Sequence, residues 1–346
     1  LKKILVTGGL GYIASHTVVE LQLAGYEVII IDNLSNSSEA VLEGIERITG
    51  VLPTFEKLDL RDKQATIAFF QRHKAIDGII HFAASKAVGE SVENPLLYYE
   101  NNLSTLITIL QQIQYKKNTA FIFSSSCTVY GQAEYMPISE DAPVQEAFSP
   151  YGNTKQIGEE ILKDTAKVAS GLQVISLRYF NPIGAHPSAE IGELPNGVPQ
   201  NLVPFITQTA IGLRKELAVF GDDYPTEDGT CIRDYIHVVD LAKAHVTALQ
   251  RLLNKENEST FEVFNIGTGT GSSVLEVIQS FERVSGQKLN YKIVGRREGD
   301  VISVYADTTK ANTVLGWKAT STLDDAMLSA WNWEQKIRNT NQIKTS

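Results

Sequence analysis

The 346-residue chain is 43% hydrophobic and 21% charged, the composition of an ordinary globular protein with length enough for a large core and two lobes. Its 31 Lys plus Arg against 40 Asp plus Glu give a formal charge of -9, which argues against nucleic-acid or membrane-surface partners yet permits an anionic small molecule in a locally basic pocket. No apolar run approaches the roughly 18 residues of a membrane span. Cys127 and Cys231 are too few for a disulfide scaffold and lack zinc-ligand spacing, so a cytoplasmic protein without a metal is expected.

In chain order, apolar segments 3 to 7, 27 to 32, 78 to 84, 120 to 125 and 173 to 179 read as buried parallel strands. Amphipathic segments 12 to 24, 62 to 74, 94 to 114 and 152 to 169 read as the helices between them. Parallel neighbours need long crossovers, so this alternation predicts an α/β fold with a Rossmann-like, mostly parallel sheet covered by helices on both faces. The rhythm breaks at Asn181-Pro182-Ile183-Gly184 and His186-Pro187, which predict a long shaped loop over 181 to 200. Helices at 203 to 212, 238 to 253 and 273 to 284, a loop over 221 to 233 and a returning strand at 261 to 266 follow. The expected division is therefore a nucleotide-binding domain over 1–180 and a smaller C-terminal α/β substrate-binding lobe over 181–346, with segments that return to the first.

Gly9-x-Gly11-x-x-Ala14 lies between the first strand and the first helix, where small residues let a pyrophosphate approach backbone N–H groups. Asp32, at the end of the next strand and about 20 residues on, is placed to accept both adenosine ribose hydroxyls, which selects NAD over NADP. Asp59-Leu60 either caps the following helix or borders the cofactor. Phe82-Ala83-Ala84-Ser85-Lys86 turns polar at the sheet edge, where Lys86 either faces cofactor phosphate or is simply solvated. Tyr151 and Lys155 share one face of a helix start, and Ser124-Ser125-Ser126-Cys127-Thr128 ends a strand at the same edge. Lys155 is suited to stabilise a Tyr151 phenolate, while Ser126 and Thr128 either organise proton transfer or cap a turn. Cys127 has no neighbouring histidine and is read as packing.

These motifs, with Thr7-Gly8-Gly9-Leu10-Gly11-Tyr12-Ile13, Lys86-Ala87-Val88-Gly89-Glu90-Ser91, Arg178-Tyr179-Phe180-Asn181-Pro182 and Arg233-Asp234-Tyr235-Ile236-His237, make the chain resemble the UDP-galactose 4-epimerase family of extended short-chain dehydrogenase/reductases along nearly its whole length. The resemblance implies an NAD-dependent inversion of C4 in a UDP-hexose, with NAD tightly bound and regenerated in each cycle. It makes Tyr151 the acid/base, with Lys155 lowering its pKa and Ser126 assisting. It places Gly8, Gly11, Tyr12, Ile13, Asp32, Asn33, Asn36, Asp59, Leu60, Phe82, Ala83, Lys86, Asn101, Ser124, Tyr151, Lys155 and Tyr179 around NAD. It places Lys86, Ser126, Thr128, Tyr151, Asn181, Asn201, Leu202, Ala218, Phe220, Arg233, Tyr235, Arg297, Asp300 and Val304 around the UDP-sugar, the two arginines near the diphosphate. Val304 occupies the position that bounds the space around the sugar C2 substituent, and its small size implies additional activity on UDP-N-acetylhexosamines. A homodimer is implied, packed through helices flanking the sheet.

Two rivals lose ground on particular residues. A sugar 4,6-dehydratase of this superfamily is expected to carry an Asp-Glu pair where Cys127-Thr128 stand. A nucleotide sensor without turnover has no need of Ser126, Tyr151 and Lys155 together.

Overall fold

The computed structural model describes residues 1–116, 118–169, 171–297 and 299–345, with side chains described through residue 339. Strands β1 (Lys3–Thr7), β2 (Glu27–Asp32), β3 (Thr54–Lys57), β4 (Gly78–His81), β5 (Thr119–Ser126) and β6 (Leu172–Tyr179) join the later strand Phe261–Ile266 in one sheet. The order is Phe261–Ile266, β6, β5, β4, β1, β2, β3, and every pairing is parallel. Because β1 lies between β2 and β4, successive crossovers diverge there, which opens a crevice at the C-terminal strand ends. The register carries Thr7 level with His81 and Ser126 level with Tyr179, so the residues that follow emerge along that edge.

Side chains alternate across the sheet and each face buries its own apolar layer. One layer joins Ile4, Val6, Ile30, Ile122 and Leu177 to the helices Tyr12–Leu23 and Val238–Leu253. The other joins Leu5, Ile29, Ile79, Phe121 and Val174 to Leu106, Ile109 and Leu162. Each such aliphatic side chain contributes about 1.5–3 kcal/mol relative to exposure, so the sheet side of the crevice is stiff.

Beyond β6 the chain builds with short strands. Asn181–Ile183 pairs with Tyr235–His237, Leu217–Phe220 with Tyr291–Val294, and the two-residue strand Ile232–Arg233 with both Ser303–Val304 and Ser272–Ser273. Val203, Ile206, Leu217, Val277, Phe281, Met327 and Trp331 form a separate core there.

The expected helix 94 to 114 is instead Pro95–Tyr99, a π-helical turn Glu100–Ser104 and Thr105–Ile113. Helix Ala40–Thr49, Leu217–Phe220, Tyr291–Val294 and the C-terminal helix Leu323–Thr345 lie outside the elements expected from the sequence. Helix Ala40–Thr49 is amphipathic, burying Gly44 and Ile45 and packing Val41, Leu42 and Ile48 on the first layer, a period the sequence reading passed over, whereas β3 is a short polar edge strand. Among the described residues no helix is long and apolar enough to cross a membrane, and no cluster of three metal-ligating side chains occurs.

Candidate active site

The glycine turn is fixed from below. Gly8 and Gly9 donate N–H bonds to Ile31 O at 2.7 and 3.3 Å, and Gly11 N donates to Gly8 O at 3.0 Å. Gly8 has φ +65°, and a Cβ there would meet the Ala83 backbone at 2.9 Å, so this strand-to-strand approach requires glycine. Gly11 begins the helix Tyr12–Leu23 with no side-chain cap, leaving first-turn N–H groups of Tyr12 and Ile13 for an anion. Asp32, 6% exposed, accepts from Leu10 N at 3.1 Å, Leu34 N at 2.9 Å and Ser37 Oγ at 2.8 Å. An uncapped helix start over a glycine turn, with a carboxylate at the next strand end, fits a dinucleotide whose ribose meets Asp32.

The flanking residues divide. Asn33 Nδ2 donates to Asp59 at 3.3 Å, and Arg61 beside Asp59 holds its carboxyl down to about 2. Asn36 is exposed on the loop after β2, and Leu60 is buried in the second apolar layer. Phe82 packs on the first layer and Ala83 on the second, and Ala83 N donates to Thr7 Oγ1 at 3.3 Å. The π-helical turn brings Asn101 Nδ2 within 3.0 Å of Ser85 Oγ, while Asn102 Oδ1 accepts from Ser85 N at 2.8 Å, so the segment before Lys86 is clamped. Lys86 itself is exposed, 4.0 Å from Glu193. Tyr12 turns its hydroxyl to Gly184 O at 2.6 Å, tying the first helix to the long loop.

Ser124, Ser126, Tyr151 and Lys155 converge beside this turn. Ser149 caps the helix Pro150–Val168 by accepting from Gly152 N at 3.2 Å, and Pro150 occupies its first turn. One turn further, Lys155 Nζ donates to Ser124 O at 2.7 Å and lies 5.1 Å from the Phe123 ring and 5.7 Å from the Tyr151 ring. Ser124 Oγ and the Tyr179 hydroxyl share a short hydrogen bond. Burial pulls the Lys155 ammonium down to about 8, with Glu159 opposing that fall. Burial pushes the Tyr151 phenol up to about 12, with the Ser126 hydroxyl pulling the other way. Thr128 Oγ1 is buried beside the serines without a hydrogen-bond partner among the described residues.

The opposite wall comes from the later chain. Asn181 and Tyr235 are adjacent across paired strands, and Arg233 pairs with Val304 in the other small sheet. Asp300 sits between two guanidiniums, 2.7 Å from Arg297 and 3.5 Å from Arg233. Arg297 lies over the Phe220 ring at 5.4 Å, with Ala218 two residues earlier on the same strand. Leu202 packs into the later core, whereas exposed Asn201 donates to Glu193 at 2.6 Å. Val304 is half-buried in a two-residue strand, and Ile302, two residues earlier, is 44% exposed.

Three supporting residues escaped the sequence reading. Asp234, fully buried, accepts from Thr268 N and Oγ1, Gly269 N and Ala306 N, which sets Arg233 and Tyr235 between them. Glu193 holds Asn201 and faces Lys86. Glu159 sits one turn beyond Lys155. Position in the Arg233-Asp234-Tyr235 motif was the only signal for Asp234, and Glu159 repeats the four-residue step from Tyr151 to Lys155.

Residues 5–329 match the family described as GDP-mannose 4,6 dehydratase. The chain is 48% identical over 343 residues to UDP-glucose 4-epimerase of Bacillus subtilis, covering 99% of each chain. It is 48% identical, with TM-score 0.94 and coverage of 98% of this chain and 100% of the other, to the UDP-glucose 4-epimerase of Stenotrophomonas maltophila with bound NAD and formylated UDP-arabinopyranose. The Bifidobacterium longum UDP-glucose 4-epimerase in complex with NAD+ and UDP is similar at 46% identity and TM-score 0.92, covering 98% of this chain and 99% of that one.

Proposed function

We propose a residue-level mechanism for a chain that belongs to the UDP-glucose 4-epimerase family, within the extended short-chain dehydrogenase/reductases. Its reaction is the reversible C4 epimerisation of UDP-galactose and UDP-glucose, with NAD as cofactor. The broader family match bears a dehydratase name, but Cys127-Thr128 provides no acid pair for eliminating water.

When bound, NAD supplies a hydride acceptor that becomes the donor in the return half of the cycle. Tyr151 takes the proton from the sugar 4-hydroxyl as the C4 hydride leaves, and returns it after the 4-keto sugar has turned. Ser126 and Thr128 hydrogen-bond the 4-oxygen and carry the proton path. Lys155, protonated, lowers the Tyr151 pKa and holds the nicotinamide ribose. The protein's own burial raises that phenol, so the positive charge of Lys155 and of the oxidised cofactor together must favour the phenolate. Arg233 and Arg297 hold the diphosphate through guanidinium forks, Phe220 and Ala218 border the uracil, and Asn181, Asn201, Leu202, Tyr235 and Asp300 complete the nucleotide site. Gly8, Gly11, Tyr12, Ile13, Asp32, Asn33 and Lys86 hold NAD. Tight anchoring of UDP with a loosely held hexose lets both sugar faces meet the same cofactor.

The observation that carries this reading is the convergence of Ser126, Tyr151 and Lys155 at the strand ends beside the glycine turn. Purified protein given UDP-galactose without added NAD is expected to yield UDP-glucose; no conversion despite confirmed bound NAD would overturn it.

Small, half-buried Val304 supports activity on UDP-N-acetylhexosamines as well. The division at residue 180 is supported by the separate apolar core of the later chain, with Phe261–Ile266 returning to the sheet. A homodimer follows from the family resemblance, with exposed Leu96 and Ile107 on helices flanking the sheet as candidate contacts, and sedimentation equilibrium tests it. The unpaired Cys127 and Cys231 support a cytoplasmic location.

A further inference from the structure

The middle serine of Ser124-Ser125-Ser126 and the arginine of Arg178-Tyr179-Phe180 have no part in the mechanism above, yet both are buried. Strand alternation turns Ser125 to the sheet face opposite Ser124 and Ser126. There it meets Glu159, which is 7% exposed and one helical turn beyond Lys155. Glu159 Oε1 accepts from Ser125 Oγ at 2.6 Å, Ser176 Oγ at 2.7 Å and Arg178 Nε at 3.0 Å, and Oε2 accepts from Arg178 Nη2 at 2.5 Å. One carboxylate thus joins the helix of Tyr151 and Lys155 to the ends of β5 and β6. Gly158 lets the helix come this close, since a Cβ there would meet Phe123 Cζ at 2.8 Å. Arg178 is braced in turn over the Tyr130 ring at 4.8 Å, and Tyr130 donates to Asn265 at 2.6 Å.

We propose that Glu159 is a positioning residue for proton transfer: it locks the serine strand end against the helix of Tyr151 and Lys155 and sets its carboxylate one helical turn from Lys155. The proposal rests on the reading of Tyr151 and Lys155 as the proton-transfer pair. A fully bonded carboxylate clamps both elements from the sheet face opposite Ser124 and Ser126. Its charge bears on Lys155 in the direction opposite to burial. The other groups around the pair are Tyr151 on the same helix, His81 of β4, whose ring burial keeps neutral, Ser124 of β5, Cys127 beyond it, and Arg178 and Tyr179 of β6. Arg178 is the only other charged side chain among them.

The test is the pH dependence of kcat for Glu159→Gln, Glu159→Asp and the double variant Glu159→Gln/Arg178→Gln. The double variant keeps the test available if an unpaired Arg178 prevents folding of the single one. Glu159→Gln is expected to lower kcat about 10- to 100-fold through misplacement and to move the alkaline limb down by about one pH unit. KM for UDP-galactose is expected to hold, the double variant to show the limb displaced in the same direction, and Glu159→Asp to restore the limb. An alkaline limb superimposed on the parent's in both Gln variants would overturn the proposal, whatever happens to kcat. Tyr151→Phe and Lys155→Met are measured alongside. If these two retain parent turnover, the underlying reading has failed; if they lose it while the limb stays put, only the role of Glu159 has.

Discussion

The two walls of the crevice are held in different ways. On the sheet side, Ser126 and Lys155 are 7% and 4% exposed and stand on eight-residue strands and a 19-residue helix packed on both layers. On the later side, Phe220 is 40% exposed and the Arg297 side chain 59% exposed, on four-residue strands and loops. A transferring proton needs donors fixed to a fraction of an ångström, and only the first wall is built for that. A nucleotide held by guanidiniums tolerates adjustment, and a hexose that must turn over requires it.

The sharpest way to break this contrast is at Tyr151. Tyr151→Phe keeps the ring packing and is expected to reduce kcat about 100- to 10,000-fold with unchanged UDP binding, as steady-state kinetics and UDP titration will register. Turnover near the parent level would remove Tyr151 from the proton path.

Arg297→Ala addresses the other wall. It is expected to raise KM for UDP-galactose about 10- to 100-fold, the loss of a charge-assisted bond to phosphate, with kcat little changed. A fall in kcat at constant KM would mean that the later wall takes part in chemistry and the contrast is false.

Val304→Tyr sharpens the contrast within the later wall. Filling the space beside Arg233 is expected to cut kcat/KM for UDP-N-acetylglucosamine about tenfold relative to UDP-glucose. Equal losses on both sugars would point to general misplacement, and an unchanged ratio would take Val304 off the specificity surface.

The smallest effect is expected at Asp32. Asp32→Ala removes a ribose acceptor and a charge that repels a 2'-phosphate, so the ratio of NADP to NAD dissociation constants should shift about fivefold toward NADP, or ~1 kcal/mol. The variant also loses the bonds to Leu10, Leu34 and Ser37, so thermal melting is read in parallel. An unchanged ratio in a folded variant would refute the selectivity role.

The same contrast explains what the sequence disclosed. Ile4 to Val6 and Val28 to Ile31 sit in parallel strands whose apolar runs and glycine turn are local signals, as is the four-residue step from Tyr151 to Lys155. The later wall depends on strands of two to four residues, too short to show a period, and on bonds between distant residues. Asp234 reaches Ala306 across 72 positions and Ser125 meets Glu159 across 34, separations that no local pattern announces. Arg233 therefore entered the reading through a family motif, and Arg297 and Phe220 through the family resemblance, not through periodicity. The π-helical turn at Glu100–Ser104 lay hidden inside a helical pattern, because its extra residue is justified only by the contacts of Asn101 and Asn102 with Ser85.

At the centre of the mechanism, one hydride leaves C4 and returns to C4 inside a closed site, with no cofactor consumed. UDP-galactose carrying deuterium at C4 tests this most directly, with the product resolved and its isotope located by NMR and no NAD added. The expected product is UDP-glucose with deuterium retained at C4. Loss of the label to solvent, or conversion only when NAD is supplied in stoichiometric amount, would contradict it.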